Sequence, residues 1–329
     1  FGISAPTVAI GLLPTYDQIG VMAPTLLIIF RLIQGFCAGG EYNGSGIFIV
    51  ENSKEGYRGF LGGLLTSSGS FGAFLACIIG VIFINSSFPQ WFWRIPFLLG
   101  GVICFVALYL RNKVKETIVP ISNQHAPILA VLRQYPRSLL ICVLIGGTST
   151  VPFYIILTFI NSSLMTAKVI SSTEMMGINA IMQAACIFSL PLMGRWGDKI
   201  GLEKMMLLGV LTMIILAYPL FYAYSQRYIP YVVALQFVTI CMNEAFAGPS
   251  NAYMSQLFPK QYRYTGVAFG YCLGLALFGG TAPYVASTLI QLTQNNLTPA
   301  VCILYGSFMG LIAVMVIFFY AFLVNLLLF

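Results

Sequence analysis

The sequence is poor in charge. Of its 329 residues 8% are charged and 59% hydrophobic, where a soluble globular chain carries roughly 25% charged residues. That excludes an ordinary water-facing surface, and the mean hydropathy of +0.89 places the chain in lipid. There is one histidine, His125, in a polar stretch, so no histidine-based metal site is expected. The eight cysteines (Cys37, Cys77, Cys104, Cys142, Cys186, Cys241, Cys272 and Cys302) all lie in apolar runs without a C-x-x-C pair, which reads as packing. No carboxylates cluster and no nucleophile–base constellation appears, so an enzyme is not expected, nor any cofactor. Also lacking are an initiator Met and a signal peptide. The chain opens at Phe1 inside FGISAPTVAIGLLPTY, too short an apolar stretch for a full span, which suggests a broken beginning.

What the sequence has is long apolar runs. Windows predict one partial span at 1–13 and nine full ones, near 25–51, 60–85, 92–111, 138–161, 172–194, 204–224, 229–256, 264–291 and 299–328. A bilayer core of about 30 Å takes roughly 20 helical residues. All spans should be helices, because lipid leaves no partner for an open backbone. The net charge of +7 is spread over short loops and does not form a nucleic-acid patch. One set of loops holds Lys54, Arg58, Arg111, Lys113, Lys115, Arg133, Arg137, Arg195, Lys199, Lys204, Lys260 and Arg263; the opposite set holds Lys168 and Arg227. That asymmetry places the first set in the cytoplasm. Arg94 is expected to snorkel to the outer interface beside Trp91 and Trp93. The longest loop, 112–137, contains Pro120, Pro127 and Pro136 and reads as a cytoplasmic linker, with a short surface helix near 126–134. It separates residues 1–111, the remainder of one helical bundle, from 138–329, a six-helix bundle. A thin repeat at an offset of 205 residues, ENSKEGYR at 51–58 against QLFPKQYR at 256–263, fits two parallel repeats with a site between them.

An ionisable group at mid-membrane costs at least ~2.5–3.5 kcal/mol and usually marks a substrate or proton path. In 25–51, Arg31, Gln34 and Glu41 form a polar stripe, beside a second stripe of Gly35, Gly39 and Gly46 that lets a neighbouring helix approach. Glu41 is a candidate proton acceptor. Arg31 either tunes it or pairs with another carboxylate to hold helices together. In 229–256, Asn243 and Glu244 lie near the midpoint, Asn251 shares the Glu244 face, and Pro249 loosens the helix. Glu244 is a second proton or substrate candidate, with an inter-helix hydrogen bond as the structural reading. GGTSTVPFY at 146–154 suggests local unwinding and polar lining by Thr148 and Tyr154, with an ordinary kink as the alternative, and Asn179 and Gln183 are placed on the same path. GRWGDKIGLEK at 194–204 reads as an inner loop in which Gly194 and Gly201 permit a tight turn and Asp198 meets the N-terminal dipole of the following helix.

These pieces, RLIQGFCAGGE (31–41) with Glu51, Arg58 and Gly59, WRIPF (93–97), the 194–204 stretch, FPKQYRYTG (258–266) and FGGTAP (278–283), resemble the major facilitator superfamily. Within it they resemble the metabolite:proton symporters, which include bacterial proline/betaine transporters. The resemblance implies an all-α polytopic membrane protein of the bacterial inner membrane, with twelve helices in two bundles and both ends cytoplasmic. On that map the chain starts within the third helix, so N-terminal helices are missing. The spans 25–51, 138–161 and 229–256 become the fourth, seventh and tenth helices, which line the central cavity. The resemblance carries over Arg31, Gln34 and Gly35 as a motif linked to proton coupling. It carries over Gly194, Asp198, Lys199 and Gly201 as the gating loop, and Glu51 with Arg58 as charge partners at inner helix ends. Leu202 and Glu203 depart from the basic residues that follow in the family.

The function expected is a proton-coupled symporter of a small polar metabolite, such as proline, glycine betaine or an organic acid, working by alternating access. Arg31, Glu41 and Glu244 would carry coupling; Gln34, Thr148, Tyr154, Asn243 and Asn251 would line the path. Its partners are then the substrate, protons and the bilayer. The alternative is a truncated, non-transporting remnant or membrane scaffold.

Overall fold

The computed structural model describes residues 2–85, 88–111 and 127–327. Among them the regular structure is helical throughout. Helices α1 (Ser4–Leu12) and α2 (Tyr16–Ile19) lead into α3 (Met22–Glu51), α4 (Arg58–Asn85) and α5 (Arg94–Arg111). Then come α6 (Pro127–Gln134), α7 (Pro136–Tyr154), α8 (Ile160–Thr166), α9 (Ser172–Ile200), α10 (Leu202–Gln226), α11 (Ile229–Met254), α12 (Lys260–Gly274), α13 (Ala282–Thr293) and α14 (Ala300–Leu327). Each expected span coincides with a helix or a pair of helices. Seven helical runs among the described residues are long and apolar enough to cross a membrane: α3, α4, Pro136–Thr166, α9, α10, α11 and Lys260–Thr293. Residues 112–126 of the expected linker lie outside the described residues; the short helix expected there is α6, with Val131 buried and Ile128, Leu129 and Leu132 exposed.

By backbone contact the chain divides into two units, Phe1–Gly44 with Ile82–His125, and Ser45–Val81 with Ala126–Phe329. In the first, α1 packs on α5 through small residues. A Cβ on Gly11 would lie 3.0 Å from the Phe97 Cβ, and one on Gly100 would lie 2.8 Å from the Thr7 methyl. Arg94, expected to snorkel, makes specific contacts within this unit. It donates to the carbonyls of Gly11 at 3.1 Å and Leu13 at 2.6 Å, satisfying orphan acceptors at the end of α1 with a cation suited to a helix C-terminus. Its guanidinium also sits 4.9 Å from the Trp93 ring centre.

In the second unit, α7 is buried along its centre, from Ile145 to Pro152. Glycines let α12 reach its backbone: Gly146 faces the Tyr271 carbonyl and Gly274 faces the Val143 carbonyl, where any Cβ would collide. The expected unwinding near Pro152 takes another form. The chain stays helical but widens into a π turn at Ile155–Phe159, joining α7 to α8. A second π turn at Leu275–Gly279 joins α12 to the bend before α13, closed by Gly280 N–H to the Leu275 carbonyl at 2.8 Å. Proline at 152 cannot donate to the carbonyl one turn back, and a widened turn re-registers the ladder beyond it.

The inner end of α9 departs from the sequence expectation. The 194–204 stretch is not a loop. Helix α9 runs through Ile200, Gly201 alone makes the turn at φ 107°, and α10 starts at Leu202. Arg195, Asp198 and Lys199 give the stretch the composition of a loop, but a helix that outruns the lipid core ends in polar residues.

Candidate transport and gating sites

In the first unit Arg31 donates to Gln34 Oε1 at 3.4 Å, and Gln34 Nε2 donates to Thr7 Oγ1 at 2.6 Å. The expected stripe therefore exists between Arg31 and Gln34, and it continues to Thr7 on α1, which sequence reading did not single out. Glu41 is exposed, as is Arg31, and Gly35 has open space around it.

Most of the buried polar residues lie in the second unit. Glu244 is 2% exposed. Its Oε1 accepts from the Cys186 thiol on α9 at 3.5 Å, and the side chain of Asn243 also reaches the carboxyl. Asn243, one residue earlier and about 100° round the helix, points to α7 and donates to the Ser149 carbonyl at 3.3 Å. Asn251 donates to Thr66 Oγ1 of α4 at 2.9 Å. Thr148 is buried with its hydroxyl bonded to the Leu144 carbonyl at 2.8 Å, and Ser149 and Thr150 bond one turn back in the same way. Those hydroxyls are engaged by their own helix. Tyr154, half-buried, is the last residue of α7 before the π turn.

A cluster of which sequence reading found only Asn179 lies at that turn. Gln236, fully buried on α11, donates through Nε2 to the Ile156 carbonyl at 2.9 Å and to Asn161 Oδ1 at 3.0 Å. Asn161 Nδ2 in turn donates to Asn179 Oδ1 at 2.7 Å. An amide inside an apolar window, as in ALQFVT, was the available signal.

At the inner end, Asp198 leaves its own neighbour α10 alone and caps α4. It accepts from Gly59 N–H at 2.7 Å and Phe60 N–H at 2.9 Å. The dipole argument thus holds for the N-terminus of a different helix. The approach is possible because Gly194 and Gly59 face one another; a Cβ on either would strike the other's carbonyl oxygen. Gly194 serves close packing, and Gly201 makes the turn. Arg195 donates to the Gly56 carbonyl and stacks 4.0 Å from the Tyr57 ring centre. Glu51 pairs with Arg263, the repeat counterpart of Arg58; the expected Glu51–Arg58 pairing is replaced by this one, and Arg58 Nε is buried without a hydrogen-bond partner among the described residues. Lys199 is exposed.

Membrane-length helices that bury amides and a carboxyl in their interior, and that are tied at one end by a capping Asp and an ion pair, define a polytopic membrane protein. Residues 139–325 match the Major Facilitator Superfamily model, and residues 7–120 match the model described as Sugar (and other) transporter. The chain belongs to the major facilitator superfamily.

It is 31% identical over 331 residues to the proline/betaine transporter of Escherichia coli, covering 94% of this chain and 66% of that protein. It is 30% identical over 332 residues to the glycine betaine/proline/ectoine/pipecolic acid transporter OusA of Dickeya dadantii, with the same coverage of 94% and 66%. The chain thus spans just under two thirds of these relatives, which are transporters and not enzymes. Among solved structures, a double-tryptophan mutant of XylE superposes with a TM-score of 0.68 at 16% identity, covering 95% of this chain and 76% of the other. The Escherichia coli fucose:proton symporter FucP superposes with a TM-score of 0.63 at 15% identity, covering 95% and 83%. The fold is that of these transporters, and the chain is an integral protein of the bacterial inner membrane.

Proposed function

We propose that the chain carries the machinery of a proton-coupled symporter for a small polar metabolite of the proline and glycine betaine class, with an organic acid as a further candidate. Alternating access between outward- and inward-open states would move the substrate. Glu244 supports this reading most: it is 2% exposed, at the middle of a membrane-length helix, with the Cys186 thiol bonded to its Oε1. A carboxylate there is costly and a carboxylic acid far less so, so loading and unloading a proton changes the free energy of the bundle around it. Arg31, Gln34 and Glu41 are proposed as a second coupling element, and Asn243, Asn251, Thr148 and Tyr154 as path residues. Residues 1–111 and 138–329 are proposed as parts of the two bundles, joined by the 112–137 linker. The Asp198 cap on α4 and the Glu51–Arg263 pair would close the inner side and release when it opens.

The relatives' names supply the substrate class: proline and betaine for the Escherichia coli protein, with ectoine and pipecolic acid added for OusA. The test is uptake of labelled proline and glycine betaine by the full-length protein in proteoliposomes. Accumulation should require an inward proton gradient. Accumulation that survives a protonophore would contradict proton coupling.

A further inference from the structure

Helices α9 and α11 share more than the contact between Cys186 and Glu244. On α9, Asn179, Gln183 and Cys186 fall at i, i+4 and i+7, one face of the helix. On α11, Gln236 and Glu244 are eight residues apart. Asn179 and Gln236 meet through Asn161, and Cys186 meets Glu244. The two helices are therefore in register over about 10–12 Å of rise. Gln183 lies between the two contacts. With Lys168 and Arg227 marking the outer ends of the neighbouring helices, the amide cluster lies on the outer side of Glu244.

This seam holds two buried acceptors without donors among the described residues. Gln236 spends its amide hydrogens on the Ile156 carbonyl and Asn161, and among the described residues its Oε1 has no hydrogen-bond partner; Gln183 Oε1 has none either. Gln236 is 0% exposed and Gln183 is 7% exposed. Leaving such an oxygen unmet costs about 1–3 kcal/mol, and a water between polar groups is the usual way it is met. The π turn contributes as well, because its widened backbone offers the Ile156 carbonyl to Gln236.

We propose that the polar seam between α9 and α11 is a single-file water path along which protons reach Glu244 from the outer side, with Gln183 and Gln236 holding its waters and the Gln236–Asn161–Asn179 cluster as its constriction. The proposal rests on Glu244 taking up a proton, as the proposed function requires. A proton entering from the outer water converts the Glu244 carboxylate to the acid; release toward the inner side restores the carboxylate, and no other bond changes.

Infrared spectroscopy of the purified full-length protein tests the path without a substrate. The carboxylic-acid C=O band of Glu244 is the one lost in Glu244→Gln, and its shift on dilution into D2O times the arrival of exchangeable hydrogen. Gln183→Leu plugs the seam with an apolar side chain and should slow that shift about tenfold or more, because exchange must then wait for local opening. Gln183→Ser leaves space for an added water and should stay within about twofold of wild type. The amide I band in the same spectra reports whether each variant is folded; if Gln183→Leu is not, Gln236→Leu takes its place. A Leu variant that exchanges at the wild-type rate, or a Ser variant slowed as much as Leu, overturns the path while leaving Glu244 as a proton site. If no carboxylic-acid band is lost in Glu244→Gln, the proton site itself fails and the path with it.

Discussion

Helices α3 and α11 are of similar length and each carries a glutamate in an apolar run, yet their surroundings differ. Glu41 on α3 is exposed, while Arg31 and Gln34, two to three turns earlier on the same helix, form a short relay to Thr7. Glu244 on α11 is 2% exposed, enclosed by α9 on one side and preceded by Asn243, which is tied to α7. Charge on the first is tolerated by whatever polar environment covers it. Charge on the second has to be accommodated by packed protein, where desolvation weighs most. The lesson is that a buried carboxyl couples protonation to the structure around it more tightly than an exposed one in an equally apolar sequence.

The largest expected effect sharpens this contrast. Glu244→Gln should lower gradient-driven uptake by about a hundredfold, ~2.7 kcal/mol in the coupled step, whereas Glu41→Gln should cost about tenfold or less; initial rates in proteoliposomes check both. Equal losses would erase the distinction.

Glycines give the next contrast. Gly59 faces the Gly194 carbonyl with no room for a methyl group, while Gly35 has nothing within 4 Å. Gly59→Ala should destabilise by about 1–3 kcal/mol through forced helix separation. Gly35→Ala should be neutral or stabilising by up to about 1 kcal/mol from helix propensity. Thermal unfolding in detergent measures the pair. A smaller loss, about 1–2 kcal/mol, is expected for Asp198→Ala, which strips the cap from α4; Asp198→Asn, which keeps one acceptor oxygen, should recover part of it. The smallest effect belongs to Glu51 and Arg263, a pair at the surface with side-chain exposures of 37% and 18%. Glu51→Gln should cost no more than about 1 kcal/mol, less at high salt. Exchanging the two charges should restore most of it.

Hydropathy alone located the spans, because burying a backbone in lipid demands helices of known length. Charge asymmetry was the sequence's signal for which helix ends face inward. What the sequence did not disclose were partners. Asp198 was read against α10, its neighbour in the chain, but it caps α4, more than a hundred residues earlier. Glu51 was paired with Arg58 seven residues away, but it reaches Arg263. Periodicity speaks only of one helix at a time, so contacts between helices distant in sequence stay hidden. The end of α9 was placed at 194 because polar residues follow, although a helix extending past the lipid carries the same residues. The π turns left a proline and glycines as their only trace. Gln236 was overlooked beside the more conspicuous Glu244, and Asn161 fell at the edge of a span.

The most direct test of the account is the proton movement that accompanies substrate entry. Labelled proline or glycine betaine is added to lightly buffered proteoliposomes holding the full-length protein, and the external pH is recorded. Wild type and Glu41→Gln should each make the medium more alkaline as substrate enters, and Glu244→Gln should not. Substrate-dependent alkalinisation that persists undiminished in Glu244→Gln would contradict the central claim that Glu244 carries the coupled proton.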